Sequence, residues 1–582
     1  MNEAAWFDDP PLRSREVVVE RGVPCRMRDG TVLLADVYRP CDGGPCPVLL
    51  LRHPYDRTHA EMFSYLHPSW YARRGFVVVV QDCRGRWSSG GEWYPFRHEE
   101  EDGADTVAWA AGLPGSDGRV AMYGFSYAGS TQLLAAASQP RGLAAIMPAM
   151  TSADFHDGWT YRGGALQHAF TRSWAIFLAQ DTAARAKQYD LEVELARTMR
   201  GVREEYWSPL GGGILARDGV APYYLDWLRH EARDGYWQQW SIRTRHQRIA
   251  VPALHIGGWY DVFLGGTLEN FTALRAGAAT DEARRGQRLV IGPWFHNPWH
   301  PLVGAVDLGD SARSRIDALQ IRWLDAILRG EPNGLADEPP VALFVLGDDR
   351  WRSEDAWPPP GMYPLELFLS SSGRANSSNG DGALVRAVPS EEPPDVFVYN
   401  PRDPVPSVGG HSCCNDQIAP MGSFDQRALE VRMDVLVYTG EPLERDLLVI
   451  GPVSASIFAA SSACDTDFTA KLVDVHPDGR ALNVCEGIVR ARFRDSLEVA
   501  VPIEPDRVYA YTIDLGATAI RFRRGHRIRL EVSSSSFPSF DRNPNAFVPI
   551  VDAGPADWVV ATQTVFHDGA RPSRLVLPVL PA

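Results

Sequence analysis

The sequence predicts an α/β domain on a mostly parallel sheet, interrupted by a helical cap and followed by a β-sandwich of jelly-roll type. Three observations carry this. Apolar, β-branched runs alternate with helix-like stretches over residues 1–150 and again over 250–339. Between them, residues 151–249 lose strand-like runs and become rich in Trp, Tyr, Ala, Arg and Gln. From about 340 to 582, short strands of period-2 alternation separated by turns take over.

Taken in order, residues 16–20 and 31–38 read as an antiparallel opening pair around Arg28-Asp-Gly. Val48 to His53 and Gly75 to Asp82 are continuous apolar runs, as buried parallel strands are. Helical character is expected around Trp70 to Arg74 and from Glu99 to Ala111, where acids open the helix. The loop from Cys83 to Trp93 is rich in Gly and Ser but lacks the lysine of a phosphate-binding loop. Leu143 to Met150 is the next strand. Helical spacing recurs over 181–203 and 223–232, as suits a lid over the sheet's C-terminal edge. Strands resume at Pro252 and Arg288, and an amphipathic helix over Ile316–Leu328 closes the domain. The strands of the last part include Val341–Leu346, Leu365–Leu369, Val431–Tyr438, Val453–Phe458, Ala470–Val475 and Arg527–Val532, with a surface loop over Ser370–Gly382.

Bulk properties narrow the function. A formal net charge of -15 argues against a nucleic-acid partner. Hydrophobic content of 45% and charged content of 23% suit an ordinary globular protein. The eight cysteines form no CxxC spacing, and a reducing, cytoplasmic setting is the simplest expectation. Cys41 and Cys46 bracket a turn without completing a ligand set. The acidic N-terminus has no apolar core for a signal peptide, and no apolar run reaches the roughly 18 residues a membrane helix needs.

The chemistry centres on Val120 to Ser130. An apolar strand, Val120 to Tyr123, meets a turn at Ser126 flanked by Gly124 and Gly129, and an Ala- and Leu-rich helix follows over Thr131–Ala137. A nucleophile elbow needs small residues at these flanks, because the turn is tight and the serine must stand proud of the sheet. A serine nucleophile needs a base and a group that orients it, and in this fold they come in the order Ser, acid, His. Two later strand ends supply them: Gly258-Trp-Tyr-Asp261 and Gly292-Pro-Trp-Phe-His296. All three leave the sheet on one side. Asp261 could instead cap a helix starting at Val262, and His300 is a rival base further from its strand. Tyr55, after the strand ending at His53, can donate a hydroxyl to an oxyanion together with the backbone N–H of Tyr127.

These residues resemble the cocaine esterase-like (CocE/NonD) family of serine hydrolases, in the superfamily of the X-Pro dipeptidyl-peptidases, α-amino acid ester hydrolases and glutaryl acylases. The likeness spans essentially the whole chain. It rests on Pro54-Tyr-Asp56, Asp82-x-Arg84-Gly85 through Gly90, Gly124-x-Ser126-Tyr127-x-Gly129, Gly258-Trp-Tyr-Asp261, Gly292-Pro-Trp-x-His296 and Asp465-Thr-Asp-Phe-Thr-Ala-Lys-Leu-Val-Asp474. It implies an α/β-hydrolase domain, a helical cap, a jelly roll, the triad Ser126, Asp261 and His296, and a homodimer. It also implies an acyl pocket lined by Trp159, Trp174 and Phe263. Family members carry bulky apolar residues where Cys413 and Cys414 fall, so smaller side chains there would widen the pocket. The carboxylates that hold a substrate ammonium in amino-ester hydrolases correspond to Val262, Phe263 and Leu264; Asp154 or Asp157 of the cap could substitute.

The expected activity is hydrolysis of a small carboxylic ester, or amide, through an acyl-enzyme on Ser126, with no metal or cofactor required. Two alternatives stay open: an X-Pro dipeptidyl-peptidase, which needs ammonium recognition, and a carbohydrate- or ligand-binding protein whose hydrolase domain is inactive.

Overall fold

The computed structural model describes residues 10–14, 16–42, 44–59, 64–201 and 203–581. The reading of the first nine residues lies outside them. Among the described residues, no helix is long and apolar enough to cross a membrane.

Ten strands form the first sheet: β1 (Val17–Arg26), β2 (Val32–Pro40), β3 (Cys46–His53), β4 (Val77–Asp82), β5 (Ser116–Phe125), β6 (Leu143–Ala149), β7 (Leu254–Tyr260), β8 (Arg288–Phe295), β9 (Val341–Val345) and β10 (Arg350–Glu354). Their order is β1-β2-β4-β3-β5-β6-β7-β8-β9-β10. From β4 to β9 every neighbour is parallel, and antiparallel strands close both ends. The centre is buried on both faces, so its strands read as unbroken apolar runs: all of Val77–Asp82 is buried. The expected change of architecture at about residue 340 therefore comes later. Val341–Val345, expected to alternate with the strand-rich half, is instead apolar and buried at every position; it pairs parallel with β8, and β10 returns beside it as an edge. An unbroken apolar run of this kind is what a strand covered on both faces needs.

Helices α1 (Pro68–Ala72), α2 (Glu99–Ala111) and α3 (Tyr127–Ala137) follow β3, β4 and β5. The last is buried along its whole length, so its Ala and small polar residues are a packing requirement. It starts a turn earlier than its Ala-rich part suggests. Gly129 makes this possible, since a Cβ there would lie 2.7 Å from Cβ of Thr151 and 3.0 Å from the Ala149 carbonyl oxygen.

The cap contains α4 (His168–Arg185), α5 (Tyr189–Gly201), α6 (Arg203–Trp207) and α7 (Pro222–Arg229). The helical spacing over 181–203 is not one helix, because the chain breaks after α4 and Lys187 turns left-handed at φ 58°. A small hairpin, Tyr161–Arg162 with Ala165–Leu166, precedes them. Strands of two residues leave no periodic signal. Gly163 turns it at φ 54°, and a Cβ there would sit 2.0 Å from the Ile488 carbonyl oxygen, so the hairpin lies flat on the β-rich half.

The C-terminal half is an eleven-stranded antiparallel-dominated system around one apolar core. Its longest strand, Leu447–Ser461, pairs with Tyr509–Phe522 along its length. The expected strand over Val431–Tyr438 shrinks to Leu436–Thr439. Val431 is exposed, and Arg432 is drawn into a turn by Asp434 and Asp403.

Cap and β-rich half are joined by a buried ion network. Arg490 is 1% exposed and reaches Asp467 and Asp541, each at 2.9 Å. Asp541 also accepts the Leu166 backbone N–H of the cap hairpin at 2.8 Å. Breaking a buried pair on one side leaves charge without compensation, at a cost of about 3–5 kcal/mol. Arg490→Met is therefore expected to lower the thermal midpoint by about 3–4 °C, given an unfolding entropy of about 1.2 kcal/mol/K for a chain of this length. A midpoint within a degree or two of the parent, read by differential scanning calorimetry, would show the network to be dispensable.

Candidate active site

Ser126 is the residue between β5 and α3. Its backbone sits at φ 62° and ψ −128°, a strained conformation for a side-chain-bearing residue. The strain is held by the neighbours. Its N–H donates to the carbonyls of Ala149 at 2.9 Å and Met150 at 3.2 Å, at the end of β6. Gly124, at φ 135°, lets the strand approach the helix: a Cβ there would lie 2.6 Å from Cβ of Ala128 and 2.7 Å from Leu51 Cδ1. Tyr127 is the first residue of α3, so its N–H has no partner within the helix and points at the helix's positive end.

The side chain of Tyr127 anchors that end. Its hydroxyl donates to Glu99 Oε1 and accepts from the Phe96 N–H, each at 2.9 Å, while Arg52 Nη1 meets Glu99 Oε2 at 2.8 Å. Burial drives the Tyr127 phenol well above its ordinary range. The sequence shows Glu99 only as an acid opening a helix; its role as the pin for the elbow depends on a contact 28 residues away.

Asp261 and His296 follow β7 and β8, adjacent parallel strands. His296 Nδ1 lies 2.8 Å from Asp261 Oδ1, and both side chains are buried. The Asp261 carboxylate does not cap a helix: the helix after it spans Leu264–Gly277, with Phe263 at its N-cap. His300 is exposed, and its Nδ1 accepts the Leu302 N–H at 3.1 Å, so it is turned away from the pair. Glycines again allow the approach, since a Cβ on Gly258 would lie 2.2 Å from the Trp294 carbonyl oxygen. Phe125, the residue before Ser126, places its ring 5.5 Å from the imidazole of His296, and Phe263 closes the other side edge-on at 5.2 Å.

Tyr55 faces the serine from the turn after β3. Its hydroxyl accepts from Trp174 Nε1 at 3.0 Å. Burial of that hydroxyl pushes its pKa up to about 12, with hydrogen bonding from Trp174 and Ser126 working against the rise. The turn is held from below: Arg86 Nε and Trp87 Nε1 each donate to the Pro54 carbonyl at 3.1 Å, and Arg57 bridges Asp82 at 2.6 Å and Asp36 at 3.0 Å. These contacts make Asp82 and the Pro54 carbonyl supports of the tyrosine, whereas Arg84 pairs with Asp102 and Asp29, each at 2.6 Å.

An aromatic cage from the cap adjoins the pair. Trp159 stacks on Phe263 at 4.4 Å and meets Trp174 at 5.5 Å, and both tryptophans are buried. Phe96, Phe155 and Phe170 complete it, none of them singled out by the sequence because isolated phenylalanines carry no pattern. Cys413 is buried in the same apolar cluster, and Cys414 packs against it. The loop that carries them reaches over from the β-rich half, where Ser412 bridges to the backbone of Asp261. It is fixed by Glu486, which accepts the His411 N–H at 2.6 Å and contacts its Nδ1 at 3.0 Å; the His411 pair and burial of opposite sense leave Glu486 at about 2. One expectation changes here. Cys413 and Cys414 are not two free thiols but are joined by a disulfide, so they present one compact apolar unit to the cage. Cys41 and Cys46 are both free. Both acids of the cap are already paired: buried Asp154 is bound by Arg233 at 2.9 Å and Ser241 at 2.6 Å, and the partly exposed Asp157 meets Arg243 at 3.2 Å.

A strained serine between strand and buried helix, with an acid–histidine pair on later strand ends of a parallel sheet, defines an α/β-hydrolase. Comparison with known proteins agrees. Residues 29–298 match the X-Pro dipeptidyl-peptidase (S15 family), and residues 333–576 match the X-Pro dipeptidyl-peptidase C-terminal non-catalytic domain. The chain is 39% identical to the cocaine esterase of Rhodococcus sp. (strain MB1 Bresler) over 97% of its own length and 98% of that protein's. Among solved structures, an α-amino acid ester hydrolase superposes with a TM-score of 0.80 at 26% identity, covering 98% of this chain and 97% of the other. An aminopeptidase from a marine sediment archaeon, Thaumarchaeota archaeon, gives 0.78 at 26% identity, covering 99% and 97%. The chain belongs to the cocaine esterase-like (CocE/NonD) family of hydrolases.

The tightness of the elbow yields a test. Gly124→Ala adds a Cβ into contacts of 2.6 and 2.7 Å at a φ that alanine rarely adopts. The variant is expected to label at Ser126 with a fluorophosphonate at least tenfold more slowly than the parent, at comparable far-ultraviolet circular dichroism. Labelling at the parental rate would show that the elbow tolerates a side chain.

Proposed function

We propose that the protein hydrolyses carboxylic esters of a small acylated molecule through an acyl-enzyme on Ser126. The observation that carries this is the buried 2.8 Å contact between Asp261 and His296 beside the strained serine. His296 takes the proton of Ser126 as its oxygen attacks the carbonyl, and Asp261 holds the imidazole in the tautomer whose Nε2 can accept. The oxyanion is met by the Tyr55 hydroxyl and the Tyr127 N–H. His296 then gives its proton to the leaving alcohol, and water releases the acyl group by the same steps in reverse. The cage of Trp159, Trp174 and Phe263 suits a flat aromatic or bulky apolar acyl group, and the disulfide of Cys413 and Cys414 supports a snug pocket rather than a widened one. The name of the Rhodococcus relative, an esterase, points the same way.

The X-Pro dipeptidyl-peptidase reading is favoured by the family match but opposed by the arginine pairing of Asp154 and Asp157. The binding-protein reading has no explanation for the acid–histidine pair. We further propose a cytoplasmic homodimer; six of the eight cysteines are free thiols, and the one disulfide joins adjacent residues rather than stapling distant segments.

A panel of p-nitrophenyl butyrate, a phenyl benzoate ester, Ala-Pro-p-nitroanilide and a glutaryl amide separates these readings. The aryl ester is expected to turn over fastest, Ser126→Ala to abolish turnover, and Asp261→Asn to lower kcat about 10⁴-fold. Cleavage of the dipeptide anilide alone would overturn the esterase reading.

Tyr55 is testable through its ionisation. Because burial holds the phenol up to about 12, the neutral, donating form persists through neutral and mildly alkaline pH. Tyr55→Phe is expected to lower kcat about 10²–10³-fold with KM little changed. The ratio of parent to variant should stay constant from about pH 7 to about pH 10. A ratio that collapses within that window would mean the phenol ionises there or serves another step.

A further inference from the structure

The inner face of the jelly roll ends in three metal-ligating side chains that the hydrolytic site does not use. Strands Asp467–Val475 and Arg527–Ser533 pair antiparallel, with Leu472 opposite Leu530, Asp474 opposite Ile528 and Val475 opposite Arg527. The next residues in register are His476 and His526. Alternation places Phe468, Ala470, Leu472 and Asp474 on one face with Val532, Leu530 and Ile528, and that face is the buried core. At its end the apolar pattern gives way to Asp474, His476 and His526, whose side chains are 10%, 22% and 13% exposed.

The donor atoms converge. His526 Nδ1 lies 2.9 Å from Asp474 Oδ1 and 3.1 Å from Oδ2, and His476 Nε2 lies 3.5 Å from Oδ2. The imidazole rings are 4.3 Å apart, and the three donors lie within 4.8 Å of one another. A tetrahedral zinc ion with bonds of about 2.0–2.1 Å separates its ligands by roughly 3.3 Å. Both histidine–carboxylate separations are close to that value, and a small shift of the imidazoles within the 4.8 Å span would complete the set. The neighbouring charges do not block it: Arg480 approaches the far nitrogen of His476, Nδ1, at 3.5 Å and is balanced by Asp478 at 2.8 Å.

We propose that Asp474, His476 and His526 bind a zinc-type divalent ion, pinning the two strands together at the rim of the jelly-roll core. Two imidazoles and a carboxylate favour zinc, cobalt or copper over calcium or magnesium, which prefer all-oxygen sites. With three protein ligands, a water would complete the shell. The site takes no part in the ester chemistry.

The test uses the full-length, untagged enzyme stripped with a chelator and titrated with Zn²⁺ against a chromogenic competitor. One equivalent is expected to bind, and Co²⁺ in its place should give the visible absorption of a four-coordinate ion. His476→Gln, which spares the Asp474–His526 contact, should weaken binding by more than the roughly 10–100-fold that an outer-shell change costs. It should also remove the rise in thermal midpoint that Zn²⁺ gives the parent. Absence of stoichiometric binding, or equal binding and midpoint rise in His476→Gln, would overturn the proposal. Ester turnover should be the same with and without Zn²⁺; a loss on stripping that His476→Gln does not share would place the ion elsewhere and also overturn it.

Discussion

The constraint on which the rest depends is the left-handed backbone of Ser126. A residue with a side chain holds that conformation only when its surroundings leave it no other. Here they do so from three sides: β6 accepts its N–H twice, Gly124 admits Ala128, and Gly129 admits Thr151. The same turn sets where α3 begins, and so aims the first N–H of that helix beside the serine. Glu99, held by Arg52, then fixes the first helical residue through its hydroxyl. Strain at one residue is sustained by a packed core that could not relax around a different turn.

Much of this was legible in the sequence, for physical reasons. Glycines that permit close approach, apolar runs buried on both faces, and polar residues at strand ends all leave marks on the chain. That is why Ser126, Asp261, His296 and Tyr55 could be named and are found on one side of the sheet. What was not legible depends on contacts between distant segments. The pin at Glu99, the pairing of Asp154 with Arg233, and the phenylalanines of the cage have no local signature. The two adjacent cysteines were visible as residues; their union was not, because the small side chains invited a reading of free volume rather than of a bond.

The family motif from Asp465 to Asp474 also gains a physical reading. Asp467 shares Arg490 with Asp541, and Asp465 binds Arg492, which in turn reaches Glu231 of the cap. Its charges therefore serve attachment, tying the β-rich half to the lid. Asp474 stands at the other end of the same strand, in the histidine cluster.

The bridge between Ser412 and Asp261 has a broader consequence. The loop that lies against Asp261 is supplied by the half whose matching family description is non-catalytic. That half carries none of Ser126, Asp261 and His296, yet its loop packs into the aromatic cluster and meets the backbone of Asp261, whose carboxylate contacts the imidazole. The acid–histidine pair and part of the wall around it thus come from two folds, so a change in the single outlying loop alters the surroundings of the pair without touching the strands that carry it.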